Sequence, residues 1–462
     1  MELSIEKLIY GGDGLARLPA DEHGSGKAVF VPFVLEGETV EASIVEQKKG
    51  FARARLDKVA EASPTRLEPH CRYFERCGGC HYQHTSYEHQ LEIKVAILKE
   101  NLRRMAKLEI EDIRVHASPP WNYRNRSRFK VQSSPFAIGY FKFGSHDLLS
   151  VEECPISSPL VNRALAKVWE IGKADGVDEI EFFANAEDTQ LLVEVYGEPR
   201  GFAEALKAAL PEISGVETFP SPSGAKARQI SGGNGTLRLR SGQAPEAEPF
   251  PKASDAKRGG KAGALLKGSR STRMGENAHP PSPAITYKTQ RASYRVSAGA
   301  FFQVNRHLTD ELVTLVTEGR SGRTALDLYA GVGLFSSVLS REFKQVIAVE
   351  SSPISSGDLQ YNSAANVKAV RSMSEQYLKN VSGKLQPDLV VVDPPRSGLG
   401  DSVIHSLVNL GAPRMTYVSC DPATLSRDLV GLLKAGYRVE QAHLVDLFPQ
   451  TYHLESVVHL VR

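Results

Sequence analysis

"LDLYAGVGLFS", residues 326–336, decides how the C-terminal part of this chain is read. An apolar, strand-forming run leads into two glycines, and a helix-like run follows. Gly331 and Gly333 let the backbone turn sharply and approach a ligand with no Cβ in the way. Glu350 ends the next strand-like run, "QVIAVE", nineteen residues after Gly331. A carboxylate at that place can accept from both hydroxyls of a ribose. No P-loop lysine follows the glycines, so a phosphate cradle is unsupported. Spacing alone leaves nicotinamide cofactors and S-adenosylmethionine both open.

Further along, "PDLVVVDPP", "RMTYVSC" and "SVVHLVR" are apolar strand-like runs separated by helical stretches. Residues 294–462 therefore read as a doubly wound α/β domain. In "VVVDPPRSGL" (390–399) the two prolines stiffen a strand exit and aim Asp393 into the crevice where open α/β sheets bind ligands. A purely structural strand end is the alternative. In "MTYVSCDPATLSRDL" (415–429) Cys420 follows the next strand, with Asp421 suited to an N-cap and Pro422 to the first helical turn. The helix N-terminus favours a thiolate and the neighbouring Asp421 opposes one. An inert buried cysteine is the bland reading. Glu455 of "DLFPQTYHLESVVHL" sits among strand formers, where a carboxylate needs a salt bridge or a proton-transfer role. Thiolate, carboxylate base and methyl-donor site form a coherent set. Sulfur adding at C6 of uracil makes C5 nucleophilic, C5 takes a methyl group, and a base then removes the C5 proton.

The 462 residues allow two or three domains, and 41% hydrophobic with 24% charged residues is ordinary for a globular chain. No apolar run approaches a membrane span, and the start, "MELSIEKLIYGGDG", lacks a signal-peptide core, which predicts a cytoplasmic protein with no membrane partner. Nothing demands a protein partner or more than a monomer. A net charge of +2 leaves any nucleic-acid affinity to local patches.

Residues 1–58 read as short strands of a small barrel whose edge, "QKKGFARARL" (47–56), is basic. In "YEHQLEIKVAILKENLRRM" the spacing of Leu91, Val95, Leu98, Leu102 and Met105 predicts the packing face of a helix. "WNYRNRSRFKVQ" (121–132) mixes Arg124, Arg126, Arg128 and Lys130 with Trp121, Tyr123 and Phe129. That mixture suits either a single-stranded RNA surface or an ordinary charged strand. Residues from about 220 to 285 lose periodicity and carry seven Lys or Arg against one Asp within 252–273, which predicts a disordered insertion.

Four of the five cysteines lie upstream: Cys71, Cys77 and Cys80 in C-x5-C-x2-C spacing, and Cys154 apart from them. Four thiolates fit tetrahedral zinc or a [4Fe–4S] cluster, and spacing does not choose between the two. His81 and His84 are possible competing ligands.

The chain resembles the RNA 5-methyluridine methyltransferases, specifically the bacterial 23S rRNA (uracil-5-)-methyltransferases. "FFQVN", "DLYAGVGLFS", "DPPRSGL", "SCDPATLSRDL" and "FPQTYHLESVV" carry the resemblance, in order, over 294–462. Residues 1–58 look like that family's TRAM barrel, and "CRYFERCGGCHYQ" with "VEECPI" looks like its iron–sulfur signature. The resemblance implies a Rossmann-like class I methyltransferase domain at 294–462. It is preceded by an OB-like TRAM barrel (1–58) and by an α+β central domain (59–293) with a cysteine-ligated cluster. It implies Cys420 as nucleophile and Glu455 as base, with Gln303, Tyr329, Glu350 and Asp393 contacting S-adenosylmethionine. It further implies a [4Fe–4S] cluster on Cys71, Cys77, Cys80 and Cys154, and 23S rRNA as partner. The T-loop of tRNA is the alternative substrate. An amino-methyltransferase using Asp-Pro-Pro, a non-catalytic iron–sulfur RNA-binding protein and a redox enzyme are rival readings.

Overall fold

The computed structural model describes residues 1–18, 26–222 and 282–462. Most of the stretch expected to be disordered, 223–281, lies outside the described residues. A strand, Ala284–Lys288, begins inside its far end.

Near the N-terminus, six strands form one sheet in the order Glu2–Ser4, Thr39–Gln47, Phe51–Glu61, Ala28–Pro32, Asp13–Arg17 and Lys7–Leu8. Alternation drives it: Val29 and Val31, Val40 and Ala42, Ala52 and Ala54 all point into one core. The long basic strand Phe51–Glu61, expected at an edge, instead lies inside the sheet between Thr39–Gln47 and Ala28–Pro32, and it bends through several register shifts against Thr39–Gln47.

A second six-stranded sheet runs Leu148–Ser150, Phe136–Phe141, Arg126–Ser133, Val177–Ala184, Leu191–Gly197 and Ile213–Phe219. Helices Pro159–Ile171 and Phe202–Ala209 contribute to its core. Here the structure decides between the two readings of the stretch 121–132. Lys130 lies opposite Glu179, and Arg128 opposite Glu181, on adjacent antiparallel strands. Arg126 bonds Glu181 and Glu194, and Arg128 bonds Glu181 and stacks on Tyr196. Phe129 and Tyr123 are fully buried. The rings are core and these cations are neutralised across the sheet, so Arg126, Arg128 and Lys130 do not make a free RNA surface.

The third sheet holds eight strands in the order Val367–Arg371, Phe343–Glu350, Gly322–Leu328, Leu389–Val392, Arg414–Ser419, Glu455–Val461, Arg438–Val445 and Arg114–His116. The first five run parallel, and Glu455–Val461 lies antiparallel between its neighbours. Strand order reverses at Gly322–Leu328 and Leu389–Val392, and a crevice opens at their carboxyl ends. The edge strand Arg114–His116 comes from the middle of the chain and pairs with Arg438–Val445. This ties the central residues into the C-terminal sheet.

Helix Tyr87–Asn101 strengthens that tie, with a face that differs from the expected one. Its buried residues are Gln90, Ile93, Lys94, Ile97 and Leu98, whereas Met105 is exposed. The reason is polar. Lys94 Nζ, fully buried, donates to Asp446 Oδ1 at 2.6 Å and to the Phe448 carbonyl at 3.0 Å, so the helix turns that side inward. Ile93, Ile97, Leu98 and Leu102 join the core of the third sheet. Removing one partner of such a pair strands a charge, at a cost of about 3–5 kcal/mol. Lys94→Met is expected to lower the unfolding free energy by roughly that much, and Lys94→Met with Asp446→Leu to recover most of it. Urea titration of the three proteins checks both.

Candidate active site

Every parallel strand that reaches the crevice ends in a residue with chemical potential. After Gly322–Leu328 comes Tyr329, whose φ of 62° is unusual for a non-glycine residue. Its ring packs against the core, half-buried. Gly331 and Gly333 follow with φ of 56° and 95°. A Cβ on Gly333 would sit 3.0 Å from Leu359. Glu350, at the end of Phe343–Glu350, accepts from the Gly331 amide at 2.9 Å and the Ser352 amide at 2.6 Å. The glycine turn and the acid thus fix each other. Asp327, one strand over, is fully buried and accepts from the Ser336 hydroxyl.

Asp393 follows Leu389–Val392 directly. Burial first, and the neighbouring Asp327 second, push its carboxyl up to about 7. Burial likewise raises Asp327 to about 7. The loop after Asp393 is held by the helix that follows Cys420, Pro422–Lys434. Asp428 accepts from the Leu399 amide at 2.6 Å and from the Tyr417 hydroxyl at 2.8 Å. Arg427 donates to the Ser397 carbonyl at 2.8 Å. "DPPRSGL" and "SRDL" are therefore two halves of one support.

Cys420 sits between the strand Arg414–Ser419 and that helix. Asp421 caps the helix as expected, accepting from the Ala423 and Thr424 amides at 3.0 and 2.9 Å. The thiol is pushed up to about 12, by burial first and then by Glu455 and Asp393, while Arg396 pulls the other way. Burial and carboxyl repulsion outweigh the helix end. Glu455 begins the antiparallel strand, and Ser456 faces Ser419 in the register. That register brings Glu455 alongside Cys420, from 35 residues further along the chain. Burial and Asp393 raise the Glu455 carboxyl well above the usual range.

Gln303 is buried just beyond the hairpin of Ala284–Lys288 and Ser293–Ser297, and its side chain makes no hydrogen bond among the described residues. Asn305 two residues on is structural: it donates to the Leu447 carbonyl at 3.1 Å and accepts from the amides of His307 and Leu308. Sequence reasoning missed Arg396, although it lies inside a motif, and His453, which lies against it at 3.3 Å. It also missed Tyr10 of the N-terminal sheet, whose hydroxyl donates to the Cys420 carbonyl at 3.1 Å. No sequence pattern marks Tyr10.

The four upstream cysteines line a single cavity of about 230 Å³ with Tyr73, Phe74, Arg124 and Tyr140. Among the described residues no three His, Cys, Asp or Glu side chains are set to hold one metal ion. Burial raises Cys77 to about 11, and Cys80 further. His81 and His84 are not in the cavity wall: His81 packs edge-on against Tyr452, and His84 Nε2 is 3.3 Å from the Val34 carbonyl. The four thiols thus share one cavity wall without converging on a single ion position.

Comparison with known proteins decides the family. The tRNA (Uracil-5-)-methyltransferase family matches residues 282–462, and the TRAM domain matches residues 1–56. A protein named RNA methyltransferase from Aquifex aeolicus is 30% identical, covering 100% of this chain and 98% of that one. The chain belongs to this RNA methyltransferase family. A Thermotoga maritima relative of the same name is 29% identical over 100% of this chain. Among solved structures, the Pyrococcus abyssi tRNA (uracil-54, C5)-methyltransferase, crystallised with S-adenosyl-L-homocysteine, superposes over 100% of both chains. Its TM-score is 0.68 at 22% identity. The third sheet of this RNA methyltransferase is thus a class I methyltransferase fold, and the N-terminal sheet is its TRAM domain. No helix among the described residues is long and apolar enough to cross a membrane.

Raised carboxyls have a consequence for stability. A buried Asp393 keeps its proton up to about pH 7, while the unfolded chain loses it near pH 4. Folding stability from this group therefore falls as pH rises through that window and stays low above it. Asp393→Asn is expected to melt a few degrees higher than the parent at pH 8 and at nearly the same temperature at pH 4. Thermal melts of the cofactor-free proteins across this range measure the difference.

Proposed function

We propose that this methyltransferase uses S-adenosylmethionine to methylate C5 of a uridine in RNA, through a covalent bond between Cys420 and C6 of the ring. The observation that carries the reading is the meeting of Cys420, Glu455 and Asp393 at one sheet edge. The bound methyl donor supplies the electrophilic carbon. Glu350, held by two amides, is placed to accept from the ribose, and Gln303, Tyr329 and Asp393 complete the donor's cradle. The resting thiol is protonated, so its proton passes to solvent water as sulfur closes on C6. Electron density then moves to C5, which takes the methyl group as the donor's S–CH3 bond breaks and S-adenosylhomocysteine is left. Glu455, in its ionised form, removes the proton left on C5. The C5–C6 double bond re-forms and the sulfur departs.

In the same reading, residues 1–58 contact RNA, 59–293 hold a [4Fe–4S] cluster on Cys71, Cys77, Cys80 and Cys154, and 294–462 carry out the reaction. The cluster orders the central residues and takes no part in methyl transfer. The barrel and the four-thiol cavity favour 23S rRNA as substrate. A tRNA T-loop uridine is the second reading, favoured by the name of the matching family and by the tRNA enzyme among the solved structures. Mapping 5-methyluridine in rRNA and tRNA from a strain lacking this protein tests the two against each other.

Replacing the nucleophile separates this mechanism from amino-methylation, which needs no thiol. Cys420→Ala is expected to lose at least about 10³-fold in rate and to form no adduct. Glu455→Gln is expected to accumulate a protein–RNA adduct on unmodified uridine, because the methylated ring cannot shed its C5 proton. Denaturing gels with labelled RNA and S-adenosylmethionine read both. Methylation at the parent rate by Cys420→Ala would refute the covalent step. For the cluster, protein purified without oxygen is expected to hold about four iron and four sulfide per chain, and Cys80→Ser to hold much less. Iron and sulfide assays decide it.

A further inference from the structure

The N-terminal barrel does more than sit beside the catalytic sheet. Tyr10 lies in the turn between the strands Lys7–Leu8 and Asp13–Arg17 and is followed by Gly11 and Gly12, both at positive φ. A Cβ on Gly12 would come within 3.0 Å of the His81 ring, so the turn is pressed onto that residue. His81 meets Tyr452 edge-on at 4.6 Å, and Tyr452 meets Tyr10 edge-on at 5.5 Å. The amides of His81 and Tyr82 both donate to the Gln450 carbonyl, at 2.8 and 3.0 Å. The barrel turn, the central segment and the stretch before Glu455 thus form one packed aromatic junction. Out of it the Tyr10 hydroxyl reaches the main-chain carbonyl of the proposed nucleophile at 3.1 Å.

We propose that Tyr10 is a positioning residue for Cys420: by holding the Cys420 carbonyl it fixes the peptide plane and hence the line along which the thiol meets the pyrimidine. This rests on the thiol reading above and adds a part to it. Cys420 lies past its strand and just before its helix's N-cap, so neither element's ladder alone sets its direction. Adding sulfur to C6 demands an approach good to a fraction of an ångström. The Ser419 hydroxyl accepts from the Asp421 amide of this same peptide at 3.3 Å and donates to the Asp421 carbonyl at 3.1 Å, so the amide end of the plane is held locally and Tyr10 holds its carbonyl end. Burial and the nearby Asp421 keep the Tyr10 hydroxyl protonated, which makes it a donor and not a proton acceptor. A TRAM residue then has a duty inside the catalytic site besides any contact with RNA.

Tyr10→Phe isolates the hydroxyl, because the ring stays against Tyr452. Full-length parent and variant are mixed with S-adenosylmethionine and saturating 5-fluorouridine-bearing transcripts of 23S rRNA and of tRNA. The adduct is timed on the transcript that the parent methylates. Adduct formation is expected to slow about tenfold, with the melting temperature, RNA dissociation constant and KM unchanged. Tyr452→Phe, which removes a hydroxyl from the same junction, is expected to react at the parent rate. An unchanged rate for Tyr10→Phe, or a loss explained by weaker RNA binding, overturns the proposal and leaves the thiol mechanism standing. A parent that methylates RNA with no adduct overturns both.

Discussion

A buried ammonium holds this molecule together. Lys94 has no exposed surface, and its bonds to Asp446 and to the Phe448 carbonyl fix the first residues of the segment that leads to Glu455. Four residues earlier on the same helix face, Gln90 exchanges hydrogen bonds with Gln450: Nε2 donates to the Gln450 side chain, and Oε1 accepts from its amide. Asn305 and Tyr123 reach the same segment through the Leu447 and Pro449 carbonyls. A stretch of nine residues with little regular structure is thereby pinned by polar contacts from three distant parts of the chain. Hydrophobic packing alone would leave its register free to slip. Directional bonds to buried partners do not. Glu455 reaches the strand in one phase only, and the strand's pairing with Arg414–Ser419 carries that phase to Cys420.

That rigidity allows an electrostatic arrangement that would otherwise relax. Asp327, Asp393, Glu455 and Cys420 are four acidic groups crowded at one edge, each raised mainly by burial. Water or a lysine in their midst would lower their proton affinities and remove the strain. Arg396 offsets only part of it, and the Asp421 carboxylate adds to it at Cys420. Around it, Glu350 and Asp428 are held by backbone amides and a tyrosine hydroxyl, while Asp327 Oδ1 is buried without a hydrogen-bond partner among the described residues. A thiol that must part with its proton and a carboxyl of raised proton affinity beside it suit a reaction that moves one proton off sulfur and another off carbon.

Legibility in the sequence followed sequence distance. The glycine turn, Glu350, Asp393 and Cys420 all mark strand ends, where a short run of apolar residues meets one residue that does not belong in it. The Asp421 cap and the Pro422 helix start were local and therefore readable. The central stripe of Arg126, Arg128 and Lys130 was not, because its partners Glu179, Glu181 and Glu194 lie about 50 to 70 residues away on strands whose pairing no window reveals. The face of the Tyr87–Asn101 helix was misjudged for a related reason: apolar periodicity favoured Leu91 and Met105, but a buried ion pair with a residue 352 positions away turned Lys94 inward. Tyr10 carries no pattern at all. A tyrosine beside two glycines reads as a turn, and its partner is 410 residues distant.

The same difference between buried and exposed pairs bears on where RNA can be gripped. Net charge is small, so phosphates must be met by cations that can leave their present partners. Glu179, Glu181 and Glu194 are buried, and withdrawing their arginines or lysine would strand carboxylates inside the sheet. On the strand Phe51–Glu61, Arg53 bonds Asp13, and Arg55 bonds Asp57 with about 70% of its own side chain exposed. Lys48 and Arg53 lie over the ring of Phe51. Exposed pairs of this kind contribute little and are readily exchanged for phosphate, and the ring beside them offers a face to a base. Both basic stretches could be read from sequence as RNA-binding or as merely charged; the barrel strand holds the exchangeable cations, and the 126–130 stripe is locked by its own acids.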